Sequence, residues 1–206
     1  ASMPMQAAAA SKAGPRDSNQ DRVFSRVSAD EQAAVVAVAD GMGGHESGEE
    51  AAALAIHEVE TWADGLFATG LPESATELAE SMEALFERVN QEIMGFSREN
   101  GGDAGTTLVL AASGPERFLI ANTGDSRAYV VDRWTTRQLT IDHTKAQELL
   151  QGGRISASEA ERGPYSHMLV HSLGQPSLGR VDIFPSRELW GIPDPPSALL
   201  LTSDGA

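Results

Sequence analysis

The stretch from Ala33 to His45 constrains the fold more than any other, because an apolar run leads directly into an aspartate and a glycine-rich turn. Residues 33–39 are alanines and valines only, which is typical of a buried strand that ends at Asp40. The glycines at 41, 43 and 44 carry no side chain that would keep the backbone away from a ligand. Asp40 and the carbonyl oxygen of Gly41 are therefore candidate ligands for a metal ion.

Two other interpretations of the glycine-rich turn follow from the same residues. An acidic residue after a strand is often only a turn residue or the cap of the next helix. A strand, a glycine-rich turn and a helix in that order are also typical of a dinucleotide-binding loop. The nucleotide interpretation fits poorly, because Glu46 stands at the third glycine position of G-x-G-x-x-G and Asp40 would face a pyrophosphate.

The size and charge of the chain limit its classes of partner. A chain of 206 residues with 41% hydrophobic residues can bury one substantial core, so a single domain is the simplest expectation. The formal net charge of -15 repels nucleic acid and anionic membrane surfaces. We therefore expect neither nucleic acid nor a membrane as a partner.

The absence of cysteine from the sequence narrows the chemistry further. It excludes a disulfide framework, a thiolate nucleophile and a cysteine-based zinc site, so a metal would be held by oxygen or imidazole. No apolar run in the sequence approaches the ~18 residues of a membrane-spanning helix. We expect a cytoplasmic protein that uses hard cations if it uses a metal at all.

The segment before the central stretch predicts a second acid close to Asp40. A polar, turn-prone segment leads into a short strand that ends near Val27, and residues 28–32 allow the two strands to pair as a hairpin. Asp21 would then lie near Asp40. Two carboxylates brought together in this way repel each other unless a proton or a metal ion lies between them.

Helices are predicted after the glycine-rich turn. Ser47 is a candidate cap for a helix that runs to about Ala63, and a longer amphipathic helix begins near Pro72. The apolar stripe of the longer helix places Met82 and Phe86 in the core rather than at a cofactor.

The second half of the chain is predicted to be rich in strands. Strands are expected at 106–112, 117–122 and 127–132, which we interpret as an antiparallel meander, and again at 180–185 and 198–203. Short helices at 144–151 and 156–161 belong to a predicted surface flap over 145–173.

Four turns each carry an aspartate, at 19–21, 40–41, 124–126 and 203–205. In a sandwich of two sheets such turns can meet along one edge, where an aspartate cluster without a lysine partner is unfavourable unless cations neutralise it. Each acid alone is more simply a turn residue. The four turns together favour a site for hard cations.

Six short motifs follow one another between residues 14 and 205. They are Arg16-x-x-Asn19-Gln20-Asp21, Ala39-Asp40-Gly41-Met42-Gly43-Gly44-His45, Gly105-Thr106-Thr107, Asn122-Thr123-Gly124-Asp125-Ser126-Arg127-Ala128-Tyr129, Asp142-His143-Thr144 and Thr202-Ser203-Asp204-Gly205. Each motif alone is weak. In this order the six resemble the bacterial PPM (PP2C-type) metal-dependent serine/threonine phosphatases.

The resemblance implies an α+β fold, a four-layer αββα sandwich in which two mainly antiparallel sheets pack face to face between helices. It implies two Mn²⁺ or Mg²⁺ ions at the edge of the sheets, with Asp40 bridging both. Asp21 and the carbonyl of Gly41 would serve one ion and Asp204 the other. Asp125 would help Asp204 to hold a third, weaker ion.

The reaction that the resemblance implies is hydrolysis of phosphoserine and phosphothreonine on proteins, opposing a serine/threonine kinase. Two hard cations lower the pKa of a bridging water, which attacks phosphorus in line. Arg16 matches the phosphate-binding arginine of the family, and a guanidinium grips two phosphate oxygens at once. The alternative is a catalytically silent module of the same fold that binds a partner or a phosphoprotein.

The chain departs from the family pattern in three places. Gln20 stands where many members have an acid, which removes one charge from the expected cluster. Met42 replaces the histidine that is the proposed general acid of the animal enzymes, and His45 is the bacterial variant and a candidate for that role. The sequence stops at Ala206, where the family continues with a helix and a strand carrying a further metal-binding aspartate. We therefore expect a C-terminally truncated domain of reduced activity.

The expected domain organisation follows from these assignments. Residues 1–13 are interpreted as a tag remnant and an N-terminal tail, and residues 14–206 as the phosphatase-like domain that contains the flap.

Overall fold

A computed structural model describes residues 4–13, 18–191 and 197–204 of the chain. No helix in these ranges is both long enough and apolar enough to span a bilayer. The elements in chain order are β1 (Asp21–Val27), β2 (Ala34–Met42), α1 (His45–Thr69), α2 (Ala75–Asn100), β3 (Gly105–Thr106), β4 (Leu108–Gly114), β5 (Arg117–Thr123), β6 (Arg127–Val131), β7 (Thr136–Gln138), α3 (Lys145–Gln151), α4 (Ala157–Arg162), β8 (Asp182–Phe184) and β9 (Ala198–Thr202).

The strand β2 lies inside the larger of two sheets. This sheet has six strands in the order β1-β2-β4-β5-β8, with β3 paired to the end of β2. The strand predicted over 33–39 is therefore confirmed, and it extends to Met42. Alanine and valine suit this position because β2 is covered on both faces, so that alternate residues enter two different cores.

The smaller sheet has three strands in the order β7-β6-β9. Val38, Val109 and Ile120 from the larger sheet meet Ala128 and Val130 from the smaller one in a core between the two sheets. The prediction of two antiparallel sheets packed face to face is confirmed.

The predicted meander is confirmed for its first two strands, because β4 and β5 pair antiparallel. It is wrong for the strand over 127–132, because β6 leaves the sheet that contains β4 and β5. The free edge of β5 is taken by β8, and β6 pairs instead with β7 and β9. A turn that returns a strand beside its predecessor and one that sends it to another sheet have similar residues, so turn composition alone does not distinguish them.

The helices α1 and α2 cover the outer face of the larger sheet, where their apolar residues form the main core. Ser47 is not the cap of α1, since the helix begins at His45 after Gly44 and runs to Thr69, beyond the predicted end at Ala63. Its last turns are held because Leu66 is packed into the core.

The second long helix and the flap helices agree with the sequence patterns. Ser74 caps α2 by accepting a hydrogen bond from the backbone N–H of Glu77, and Met82 and Phe86 are fully buried as predicted. In the flap, Ser156 and Glu159 form a reciprocal capping box at the start of α4.

The outer face of the smaller sheet is more open. Leu200 is 48% exposed and alternates with Leu199 and Leu201, which are partly buried and pack against the core between the sheets. Three of the four layers that the resemblance implies, namely one helical layer and two sheets, therefore lie within the described ranges.

Candidate functional site

Asp21 and Asp40 are direct neighbours in the antiparallel ladder of β1 and β2. The hairpin predicted to bring these two acids together is therefore confirmed. Side chains alternate along a strand, so Asp40 lies on the same face of β2 as Val38, which belongs to the core between the sheets. Both carboxylates consequently stand at the rim of the gap between the two sheets.

Asp204 reaches this rim from the other sheet. It follows the end of β9, and its carboxyl group is hydrogen-bonded to that of Asp40. The preceding residue, Ser203, donates a hydrogen bond from its hydroxyl to Oδ2 of Asp21 over 2.8 Å. Acids from three strands, two in one sheet and one in the other, thus meet at one place.

The electrostatics of this cluster are unfavourable without a cation. Burial and the nearby Asp21 and Asp204 raise the pKa of Asp40 to about 8, from an ordinary value of 3.8. Among the ion pairs of the described residues, none joins an arginine or lysine to Asp21, Asp40 or Asp204. A cation bound among these carboxylates would relieve their repulsion, as a proton on Asp40 does when no cation is bound.

This repulsion leads to a prediction for the metal-free protein. Raising the pH from about 4 to about 8 is expected to lower the free energy of unfolding through Asp40. Below this range the carboxyl group is protonated in both states. Within it, the unfolded chain has released the proton while the folded chain retains it, so stability falls as pH rises.

Urea denaturation in the presence of a chelator measures this effect. We expect Asp40→Asn to be more stable than the wild type at pH 8, with the difference shrinking towards pH 4, because asparagine has no charge to bury. A difference between the two proteins that stays constant across this range would contradict the assignment of the effect to Asp40.

Asp125 stands close to the same cluster. Burial, followed by the charges of Asp204 and Asp142, raises its pKa to about 6, and the charge of His167 opposes this shift. Asp125 follows Gly124, which adopts a φ of +111° in the turn between β5 and β6. The acid-bearing turn at 124–126 therefore comes within electrostatic reach of Asp204, which lies 79 residues later in the chain.

Glycine is required at position 41 for a steric reason that cannot be read from the sequence. A Cβ atom at Gly41 would lie 1.9 Å from the carbonyl oxygen of Gly48, in the first turns of α1. The close approach of α1 to the end of β2 thus requires glycine there. The backbone N–H of Gly41 donates to the carbonyl of Gln20 over 3.1 Å, which ties this step to the strand that carries Asp21.

Two buried hydroxyl groups support the acids and were assigned no role from the sequence. Thr107 accepts a hydrogen bond from the backbone N–H of Asp40 over 3.1 Å, and its own N–H donates to the Asp40 carbonyl over 2.9 Å. Its hydroxyl also meets that of Ser126, over 2.7 Å. The Thr107–Ser126 pair therefore connects the backbones beside Asp40 and Asp125. Both residues lie within the motifs quoted above, and this is the only feature of the sequence that could have indicated their role.

Two predicted site residues are not covered. Arg16 lies outside the described residues, and so does the side chain of His45, although its backbone begins α1. Their predicted roles stay predictions.

The dinucleotide-binding interpretation does not agree with the fold. Every strand pair within the described ranges is antiparallel. Dinucleotide loops of this kind lie at the carboxyl ends of parallel strands. The glycine-rich turn after Asp40 is consequently not a dinucleotide-binding loop of this kind.

The donors at the rim fit small hard cations. Within the described ranges, no three or more His, Asp or Glu side chains are arranged to enclose a single ion. The expected arrangement needs only two carboxylates for each ion, because Asp40 is shared and a backbone carbonyl contributes. Mg²⁺ characteristically takes one or two carboxylates and keeps several waters. Asp21 and Asp204 also line an open groove of about 650 Å³, through which water has access.

The sequence of this chain is similar to those of known phosphatases. The family model for protein phosphatase 2C matches residues 10–206. The serine/threonine phosphatase Stp of Listeria monocytogenes is 37% identical over 177 residues, which are 83% of this chain and 66% of that protein. This chain thus spans just under two thirds of that relative's length.

Solved structures show the same similarity. The Mycobacterium tuberculosis serine/threonine phosphatase PstP/Ppp matches with a TM-score of 0.80 and 28% sequence identity, covering 97% of this chain and 78% of that chain. A catalytic domain of PstP in complex with two manganese ions matches with a TM-score of 0.68 and 27% identity, covering 86% of this chain and 71% of that chain. Since the family model spans nearly all of the sequence, the chain belongs to the protein phosphatase 2C family.

Proposed function

We propose that this chain is a metal-dependent protein phosphatase that hydrolyses phosphoserine and phosphothreonine on proteins. The observation that carries the proposal is the meeting of Asp21, Asp40 and Asp204 at the rim between the sheets, with no arginine or lysine paired to them among the described residues. Carboxylates in this arrangement suit Mn²⁺ or Mg²⁺. The relatives that are named serine/threonine phosphatases support the same reaction.

The proposed ligands form two strong metal sites and one weaker metal site. Asp40 would be shared by two ions, Asp21 and the Gly41 carbonyl would complete one of them, and Asp204 would complete the other. Asp125 and Asp204 would hold a third ion. When bound, the ions supply positive charge to bind phosphate and activate a water molecule.

The residues of the chain orient these ligands and handle the substrate. Ser203 holds the Asp21 carboxylate by a hydrogen bond, and Thr107 holds the backbone of Asp40 on both sides. Arg16 is proposed to grip the phosphate oxygens, since a guanidinium donates two parallel hydrogen bonds. His45 is proposed to deliver a proton to the leaving oxygen of the serine or threonine side chain, which departs as an alcohol.

The proposed substrates imply an opposing protein serine/threonine kinase. The net charge of -15 makes cations at the site important, because an acidic protein otherwise repels a phosphorylated substrate. The cytoplasmic location stays a prediction from the sequence.

Turnover of a phosphothreonine peptide by the purified chain tests the proposal. We expect phosphate release with Mn²⁺, none after addition of EDTA, and recovery when Mn²⁺ is restored in excess. Manganese should also raise the melting temperature, since one site at a hundredfold excess over its Kd contributes about 2.7 kcal/mol. Tight binding of Mn²⁺ and of the phosphopeptide without phosphate release would instead indicate a catalytically silent module.

A further inference from the structure

His143 occupies a buried position behind the turn that carries Asp125. It lies between β7 and α3 and is 3% exposed. Its Nδ1 atom lies 3.0 Å from the backbone nitrogen of Gly124, and its Nε2 atom lies 2.9 Å from Oδ2 of Asp182. Both ring nitrogens are therefore engaged, one by the Asp125 turn and one by β8.

These two contacts determine which nitrogen carries the proton. A backbone N–H only donates, so Nδ1 must be the acceptor and must carry no proton. Nε2 then carries the proton and donates it to the Asp182 carboxylate. Burial lowers the pKa of His143, while the hydrogen bond and charge of Asp182 partly oppose that shift, in agreement with a neutral ring.

The ring and backbone of His143 together clamp Gly124 from two sides. The backbone N–H of His143 donates to the carbonyl of Gly124 over 3.0 Å, while Nδ1 accepts the N–H of Gly124. Gly124 has a φ of +111°, and a Cβ atom there would lie 2.6 Å from the Thr107 side chain. The turn is thus held in a left-handed conformation directly before Asp125.

Further hydrogen bonds surround Asp182 and the backbone of His143. Arg180 donates from Nε to Oδ1 of Asp182 over 2.5 Å, and the Thr123 hydroxyl donates to the Arg180 carbonyl over 2.8 Å. The carbonyl of His143 accepts the N–H of Val170, over 2.9 Å, at the end of the flap. Arg180 thus holds one carboxylate oxygen of Asp182, and the other oxygen meets Nε2 of His143.

We propose that neutral His143, oriented by Asp182, is a positioning residue that sets the conformation of the Asp125 turn and so the affinity of the ion shared by Asp125 and Asp204. The inference rests on the proposed metal sites. Residues that orient metal ligands typically change affinity by 10- to 100-fold when they are replaced. The ion held by Asp21 and Asp40 should be unaffected, because His143 makes no contact with β1 or β2 among the described hydrogen bonds.

Two substitutions separate this role from simple filling of space. In His143→Asn the side-chain oxygen takes nearly the place of Nδ1 and still accepts the Gly124 N–H. In His143→Gln the side-chain amide extends towards Asp182 and leaves the Gly124 N–H without its acceptor. Glutamine is closer to histidine in length, so a packing role alone would favour the Gln variant.

Calorimetric titration with Mn²⁺ measures the effect, with His57→Asn and His57→Gln on the exposed side of α1 as matched controls. We expect the weaker class of Mn²⁺ sites to lose roughly tenfold in affinity in His143→Gln and less than about threefold in His143→Asn. The tighter class should be unchanged in both. Equal losses in the two variants, or a larger loss in His143→Asn, would overturn the inference.

Nitrogen-15 NMR of the metal-free wild type gives a readout that needs no variant to fold. We expect the His143 ring to show a proton on Nε2 and none on Nδ1, and a proton on Nδ1 would overturn the inference. The two proposals fail differently: a wild type that binds no Mn²⁺ contradicts the metal sites, whereas normal Mn²⁺ binding with the wrong tautomer contradicts only the role of His143.

Discussion

Asp40→Asn is expected to lower the kcat/KM of manganese-dependent phosphate release by at least about a thousandfold, or ~4 kcal/mol of transition-state stabilisation. Asparagine preserves the size of the side chain but removes its charge and one of its two ligand oxygens. Because Asp40 is the carboxylate shared by two ions in the proposed site, this one change weakens both. Asp21 and Asp204 then lack the residue that connects them across the two sheets.

Asp64→Asn is the matched control for this experiment. Asp64 is an exposed residue of α1 that pairs with Arg26, and surface ion pairs contribute little. We expect its phosphatase activity to equal that of the wild type within about twofold. Misfolding cannot account for the loss in Asp40→Asn if that variant is the more stable one at pH 8 without metal, as expected above. Activity within tenfold of the wild type would rule out Asp40 as the shared ligand.

Gly41→Ala is expected to lower the free energy of unfolding by about 4 kcal/mol or more, a large share of the 5–15 kcal/mol typical of a domain. The new Cβ atom would lie 1.9 Å from the carbonyl oxygen and 2.5 Å from the carbonyl carbon of Gly48, and 3.1 Å from the carbonyl oxygen of Gln20. All three atoms belong to the backbone, so no side-chain rotation relieves the overlap. Either α1 or the end of β2 must move, and both carry the candidate site.

Gly65→Ala makes the same chemical change where there is space for it. Gly65 lies within α1, and a Cβ atom there meets nothing within 4 Å. Alanine is favoured over glycine in a helix, so we expect a stabilisation of up to about 1 kcal/mol. Chemical denaturation of both variants measures the contrast. Similar free energies of unfolding for the two would show that α1 does not press on Gly41 in solution.

The pairing of β1 with β2 illustrates how much of the fold was accessible from the sequence. An alternating or continuous apolar pattern is a local property, so the apolar strand that leads to Asp40 and the core face of α2 with Met82 and Phe86 were predicted correctly, whereas the extension of the strand to Met42 was not predicted. A short connection between two strands also restricts their pairing, which is why Asp21 was expected beside Asp40.

Helix ends and sheet membership were less accessible. The glycine-rich turn and Ser47 both offer a start for α1, and the start at His45 places Gly48 of the helix against Gly41 of β2. The assignment of β6 to the smaller sheet depends on β8 having taken the edge of β5. Each of these outcomes is a competition between distant segments.

The sequence by itself determined which acids stand at strand ends, because periodicity and turn residues act over a few positions. Only the tertiary structure decided which groups hold those acids. Thr107 reaches Asp40 across 67 residues, Ser203 reaches Asp21 across 182, and His143 reaches Gly124 across 19 and Asp182 across 39. Such contacts depend on how two sheets stack and how a turn is clamped, and no local pattern of residues contains that information.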